Sequence, residues 1–250
     1  MHRMRRFVIA ALVLALPLAA SAQQLTVSAA ASLADAFKEI GRQFEATKSG
    51  VTVRCNFAAS GVLIQQIAQG APADVFASAD QETMNRGVDQ RLIDADTRRD
   101  FAANQLVLVA PAQGGPELKA LADLSRPEVK RIAIGKIETV PVGRYTRQAL
   151  AAANLWAPLQ PKFVQADSVR QVLDYVARGE VEAGFVYRTD AAIMADKVKV
   201  ALTAGGHAPV TYPVAVVSES RQKVLAKEFA EYLRSPAAQE VLGRFGFARP

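Results

Sequence analysis

Ala29-Ala30-Ala31-Ser32-Leu33 decides how this chain folds. It closes a short apolar run, Leu25–Ala29, and opens Ser32–Phe44, where Leu33, Phe37, Ile40 and Phe44 recur at helical spacing. A strand therefore turns into a helix through small residues and a serine. Phe57-Ala58-Ala59-Ser60-Gly61 repeats the pattern. It follows Val51–Phe57, with Val51, Val53 and Cys55 on one face, and opens a helix over Ser60–Gln69 that stops at Gly70.

Outward from these junctions the alternation continues. Asp74–Ala77 reads as a strand, Asp80–Val88 as a helix, and Leu106–Ala110 as a buried strand ended by Pro111. A second series follows. Its strands are Arg131–Ile134, Lys162–Gln165, Ala183–Tyr187 and Val198–Ala201, and its helices are Leu118–Leu124, Val142–Ala153, Ser168–Arg178 and Asp190–Asp196. Strand Val214–Val217 and helices Gln222–Leu233 and Pro236–Phe245 close the chain. Alternating β and α segments predict parallel sheets with helices on both faces. Two series in 250 residues predict two α/β lobes, residues 23–104 with 211–250 forming one and 105–210 the other. The Gly/Pro-rich loops Ala112–Pro116 and Thr203–Pro209 are candidate transitions between them.

Composition narrows the function. Half of the residues are hydrophobic and 22% are charged, as in globular domains. One cysteine excludes an internal disulfide. Residues 1–22 form a signal peptide pattern: Arg3, Arg5 and Arg6, an apolar run from Phe7 to Ala20, then Ala20-Ser21-Ala22 with cleavage near Gln23. The run falls short of the roughly 20 residues of a membrane-spanning helix, so a retained anchor is the lesser reading. No cysteine at the cleavage point suggests a lipid anchor. Without those three arginines the formal charge drops from +6 to +3, and no nucleic-acid partner is expected.

The leader also removes His2, leaving His207 as the one histidine. A histidine-cluster metal site is excluded, and a catalytic triad would have to rest on His207, which reads as a surface loop residue. The phosphate-loop, dinucleotide-binding and nucleophile-elbow motifs are missing from the sequence. Cys55 reads as a buried thiol and Trp156 as a packing residue. Asp74 and Asp80 read as a loop hydrogen bond and a helix cap.

What remains is the set of junctions themselves. Val140-Pro141-Val142-Gly143 and Asp167-Ser168-Val169 join the first two. Each has a structural use, since serine caps helices and proline suits a first helical position. Together they place helix starts at the carboxyl ends of strands, where free N–H groups suit an anion. None of the four contains Arg or Lys, with Arg144 and Arg170 just beyond the last two. The residues thus predict a neutral, donor-rich anion pocket between two lobes.

The chain resembles the periplasmic molybdate-binding proteins of ABC importers from about Gln24 to Phe247. The resemblance rests on Ala29–Leu33, Gly70-Ala71-Pro72-Ala73-Asp74-Val75-Phe76 with Ser78-Ala79-Asp80, Val140-Pro141-Val142-Gly143-Arg144-Tyr145, Gly184-Phe185-Val186-Tyr187 and Tyr212-Pro213-Val214-Ala215-Val216-Val217. It implies a two-lobe type II periplasmic binding protein fold of parallel sheets flanked by helices, closing on a tetrahedral oxyanion. It implies as ligands the hydroxyls and amides of Ser32 and Ser60, the amides of Val142 and Val169, and the hydroxyl of Tyr187. Molybdenum would be held as the oxyanion by these residues, with no direct metal ligand and no cofactor. Tungstate would bind too. The protein would be a monomer, not an enzyme, working in the periplasm with a membrane permease. One stretch departs from the family: Gly135-Lys136-Ile137-Glu138-Thr139 replaces an Asn-Pro or Asp-Pro pair, and Lys136 brings a cation near the site. Rival readings are a binder of another oxyanion such as sulfate, and a secreted hydrolase using Ser32 or Ser60.

Overall fold

The computed structural model describes residues 23–250. The expected signal peptide, residues 1–22, lies outside them. The first run of elements is β1 (Gln23–Ala30), α1 (Ala34–Ala46), β2 (Val51–Ala58), α2 (Ser60–Ala68), β3 (Val75–Ala77), α3 (Gln81–Asp89) and β4 (Arg99–Asn104). The second is β5 (Leu106–Pro111), β6 (Ile132–Gly135), α4 (Pro141–Ala152), α5 (Trp156–Leu159), β7 (Phe163–Ala166), α6 (Val169–Ala177), β8 (Ala183–Tyr187), α7 (Arg188–Ile193) and β9 (Val198–Thr203). The last is β10 (Val210–Val216), α8 (Lys223–Tyr232) and α9 (Pro236–Arg244).

Two five-stranded sheets result, ordered β2-β1-β3-β10-β4 and β7-β6-β8-β5-β9. The fold is the two-lobe α/β architecture, but the sheets are mixed, not parallel throughout. β1 runs parallel to β2 and β3, and β6 parallel to β7 and β8. β10 is antiparallel to β3 and β4, and β5 is antiparallel to β8 and β9. The cause is connectivity. Gln105 alone separates β4 from β5, so the chain passes directly from one sheet into the other. β4–β5 and the returning β9–β10 run antiparallel beside each other across both sheets.

Helices follow the expected spacing. α1 buries Phe37, Ile40 and Phe44, and α6 buries Val169, Val172, Leu173 and Val176. Phe44 meets Phe229 edge-on at 5.2 Å between ring centres, and Phe37 lies 5.7 Å from Phe101. Each such ring contributes roughly 1.5–3 kcal/mol on burial. The Ser168, Ser235 and Asp80 side chains cap α6, α9 and α3.

Several expectations shift. β4 is absent from the sequence reading, because Arg99 and Asp100 are exposed and Phe101 and Ala102 alone are buried there. Leu118–Leu124 gives a short 3-10 turn at Leu121–Ser125 in place of a helix. Another 3-10 turn, Ala31–Leu33, precedes α1. Ala112–Pro116 does not cross between the sheets; it leaves β5 and stays with the second, Ala112 N–H bonding Lys197 O at 2.9 Å. Cys55 is half-buried, because β2 is an edge strand whose alternate side chains face solvent.

Candidate functional site

The carboxyl ends of β1, β2, β6 and β7 bring the starts of α1, α2, α4 and α6 towards one place. A cavity of about 10 Å³ lies there, lined by Ala30, Ala31, Ser32, Ala59, Ser60, Ala79, Val140, Pro141, Val142, Val169 and Tyr187. Ser32, Ser60, Val142, Val169 and Tyr187 come from both sheets and all line it. No lining side chain carries a charge. All but Ala31 are buried.

The serine hydroxyls have particular orientations. Ser168 caps its own helix in the ordinary way, its Oγ accepting from Gln171 N–H at 3.2 Å. Ser32 and Ser60 do not cap theirs. Ser60 Oγ accepts from Ala79 N–H at 3.0 Å. A backbone N–H can only donate, so the Ser60 proton turns elsewhere. Ser32 Oγ lies 3.1 Å from the Tyr212 hydroxyl. Opposite them, Tyr187 OH is buried and has no hydrogen-bond partner among the described residues. An unpaired buried hydroxyl costs roughly 1–3 kcal/mol. Burial holds the Tyr187 pKa well above the ordinary tyrosine value, so the group keeps its proton.

Backbone donors complete the lining. Ser60 and Val169 open α2 and α6, and Val142 is the second residue of α4. N–H groups in a first helical turn have no partner in their own helix and carry its positive end. Two glycines allow close approach. A Cβ on Gly61 would sit 2.5 Å from Thr139 O, and one on Gly143 would sit 2.1 Å from Gly135 O.

Contacts between the two halves shut the cavity. Gly61 N–H donates to Thr139 O at 2.9 Å. Arg144 of α4 donates to Asp80 at 2.8 Å and Thr83 at 2.7 Å, with Arg144 and Asp80 both buried. Arg170 of α6 bonds Asp190 at 2.7 Å in its own half and Asp35 at 2.9 Å in the other. Each arginine flanking the helix starts is thus matched by carboxylates. Burial pushes the Asp190 carboxyl up to about 6, against the lowering pull of Arg170; Arg170 is shared with Asp35, and Asp190 Oδ2 has no partner among the described residues. The same two carboxylates hold the Arg170 pKa above its ordinary value, despite its burial. Lys136 points away from the lining and pairs with Asp167 at 2.5 Å on the surface.

Other expectations fall into place nearby. Asp80 is the expected cap, accepting from Thr83 N–H, and its pairing with Arg144 is additional. Asp74 is a loop acceptor for Thr26 N–H and Ser220 Oγ. Trp156 lies against Phe163, ring centres 4.8 Å apart. His207 is half-buried, its ring bonded to the Ala204 and Ala208 carbonyls and 5.6 Å from Tyr145. No group of three His, Cys, Asp or Glu side chains able to hold a metal ion occurs among the described residues. The sequence reading missed Asn104, Tyr212 and the Asp80–Arg144 pair, since no local spacing connects them.

Residues 25–248 match the bacterial extracellular solute-binding protein family. The chain belongs to that family. Within it, the chain is ModA-like. It is 41% identical to the molybdate-binding protein ModA of Escherichia coli (strain K12), covering 90% of this chain and 88% of that one. It is 39% identical to a putative ABC transporter substrate-binding lipoprotein, YvgL, of Bacillus subtilis (strain 168), over 89% and 85%. The structure of the Azotobacter vinelandii periplasmic molybdate-binding protein superposes with a TM-score of 0.76 at 25% identity, covering 90% and 99%. Family membership makes this chain a solute-binding component of an ABC transporter and not an enzyme.

Proposed function

We propose that the protein captures molybdate, and tungstate alike, through neutral hydrogen-bond donors and hands it to a membrane permease of an ABC importer. Tyr187 OH carries this reading: a buried donor without a partner among the described residues needs an acceptor from outside. Ser32 and Ser60 add hydroxyls, and Ser32, Ser60, Val142 and Val169 add backbone N–H groups. A small oxyanion, shed of water, meets donors from several directions and no carboxylate. Its charge is offset by helix starts and hydrogen bonds instead of a cation. The likeness to ModA of Escherichia coli supports molybdate as the anion. The leader-like residues 1–22 support export to the periplasm, with the mature protein working as a monomer. No cofactor is needed, since the anion is cargo.

The donor set also sets selectivity. Phosphate at neutral pH keeps a proton that needs an acceptor; no carboxylate lines the cavity, and a hydroxyl turned to accept would stop donating. Sulfate has no such proton but shorter bonds to oxygen, so its hydrogen bonds in a molybdate-sized site are stretched and weak. Calorimetry on protein unfolded and refolded to strip bound anion is expected to show tight molybdate and tungstate binding, much weaker sulfate binding and no heat with phosphate. Sulfate binding as tightly as molybdate would make this a binder of a different oxyanion.

A further inference from the structure

Ser32 is joined to the passage between the two sheets by a hydrogen-bond chain whose direction can be worked out. Gln105 N–H donates to Asn104 Oδ1 at 2.9 Å. A backbone N–H cannot accept, so this bond fixes the Asn104 amide with its NH₂ on the far side. That NH₂ donates to Thr189 Oγ1 at 2.9 Å and to Tyr212 OH at 3.3 Å. Tyr212 OH therefore accepts from Asn104, and its own proton has one acceptor in reach, Ser32 Oγ at 3.1 Å. Ser32 Oγ accepts in turn, and its proton is left to face the cavity.

We infer that Asn104 and Tyr212 are positioning residues that hold the Ser32 hydroxyl as a donor towards the bound oxyanion. The inference rests on the molybdate reading above. Tyr212 does not line the cavity and touches the ligand only through Ser32. Both residues sit where the chain passes between the sheets, Asn104 at the end of β4 and Tyr212 in β10. Ser60 gets the same orientation from Ala79 N–H, so both serines are set by donors behind them. If the Ser32 hydroxyl instead donated to Tyr212, the buried Tyr212 proton would be left without an acceptor among the described residues. Burial holds the Tyr212 pKa well above its ordinary value, so its proton stays in place.

The test is a double-mutant cycle on molybdate affinity, measured by calorimetry with sodium molybdate on the full chain after refolding. Tyr212→Phe keeps the ring and its packing and removes the hydroxyl. It is expected to weaken binding about threefold to tenfold, the worth of one ordinary hydrogen bond. In the Ser32→Ala background the same change is expected to have no effect, because Tyr212 acts through Ser32. Equal losses in both backgrounds would assign Tyr212 to packing and overturn the inference, as would unchanged affinity in Tyr212→Phe alone. If Tyr212→Phe does not fold, Asn104→Ala reads the chain from its other end, with the same silence expected beside Ser32→Ala. Wild-type protein that takes up no molybdate defeats the proposed function and this inference together. Wild-type binding without the coupling defeats this inference alone.

Discussion

Ser60 shows how much a single residue's surroundings decide. A serine at a helix start ordinarily caps, yet this one gives its oxygen to Ala79 N–H across the fold. Ser60→Ala removes a donor to a charged partner, a bond worth roughly 1.5–3 kcal/mol. Molybdate affinity is expected to fall about tenfold to a hundredfold by calorimetry, with the anion-free melting temperature little changed. Unchanged affinity would leave Ser60 a purely structural residue. Asp190 carries a pH dependence. Its carboxyl titrates at about 6 in the fold against an ordinary 3.8, so the folded chain holds this proton more tightly than the unfolded chain. Its contribution to stability is therefore full below about pH 4 and lost as pH rises through about 6. The melting temperature of wild type relative to Asp190→Asn is expected to rise on going from pH 7 to pH 5. A difference independent of pH would show that Arg170 keeps Asp190 ionised throughout. Cys55, half-buried on β2, has its thiol pushed up to about 11, chiefly by burial and then by Glu45, which keeps it a poor nucleophile near neutral pH.

At the level of elements, the helix starts bring the site together. α2 reaches the other half because Gly61 has no side chain, its N–H bonding Thr139 O. A methyl at that position meets backbone atoms 2.5 and 2.7 Å away, so α2 and the segment before α4 must separate. Alanine is also the better helix former, by about 1 kcal/mol. Gly61→Ala is nevertheless expected to lower the anion-free melting temperature, because the helical gain does not offset a displaced backbone contact, and to weaken molybdate binding about tenfold or more. Equal affinity in the two proteins would show that α2 shifts without opening the cavity. α3 and α4 meet through Asp80 and Arg144, so the residue that caps one helix also ties it to the other half. A buried pair of this kind is costly to break, at roughly 3–5 kcal/mol when one partner is removed.

Across the whole molecule, the contacts that shut the cavity join parts linked by two crossing segments, β4–β5 and β9–β10. Such a two-segment passage permits closure by rotation about it. The proposed ligand adds bonds to both halves, so it favours the closed arrangement. Small-angle scattering is expected to give a smaller radius of gyration with saturating molybdate than without it. Identical curves would mean the halves are already closed in the free protein. Saturation is also expected to raise the melting temperature, a ligand at a thousandfold excess over its Kd adding about 4 kcal/mol.

The sequence by itself determined most of the elements and the helix starts. Leu33, Phe37, Ile40 and Phe44 announce α1 by their spacing, and Ser168 and Asp80 announce caps, because these features depend on neighbours within a turn or two. The two α/β series were legible for the same reason, and so was a donor-rich set of junctions. Strand direction was not legible: that β5 and β10 run against their neighbours depends on Gln105 being the whole link between sheets, and β4 hid behind Arg99 and Asp100. Tyr187 entered through the family resemblance, since a tyrosine at a strand end looks the same whether or not its hydroxyl has a partner. Tertiary structure alone left that hydroxyl buried and without a partner among the described residues. It alone brought Asp80 to Arg144, and Tyr212 to Ser32 across 180 residues. Hydrogen bonds are satisfied in space, and no local pattern records which distant donor will arrive.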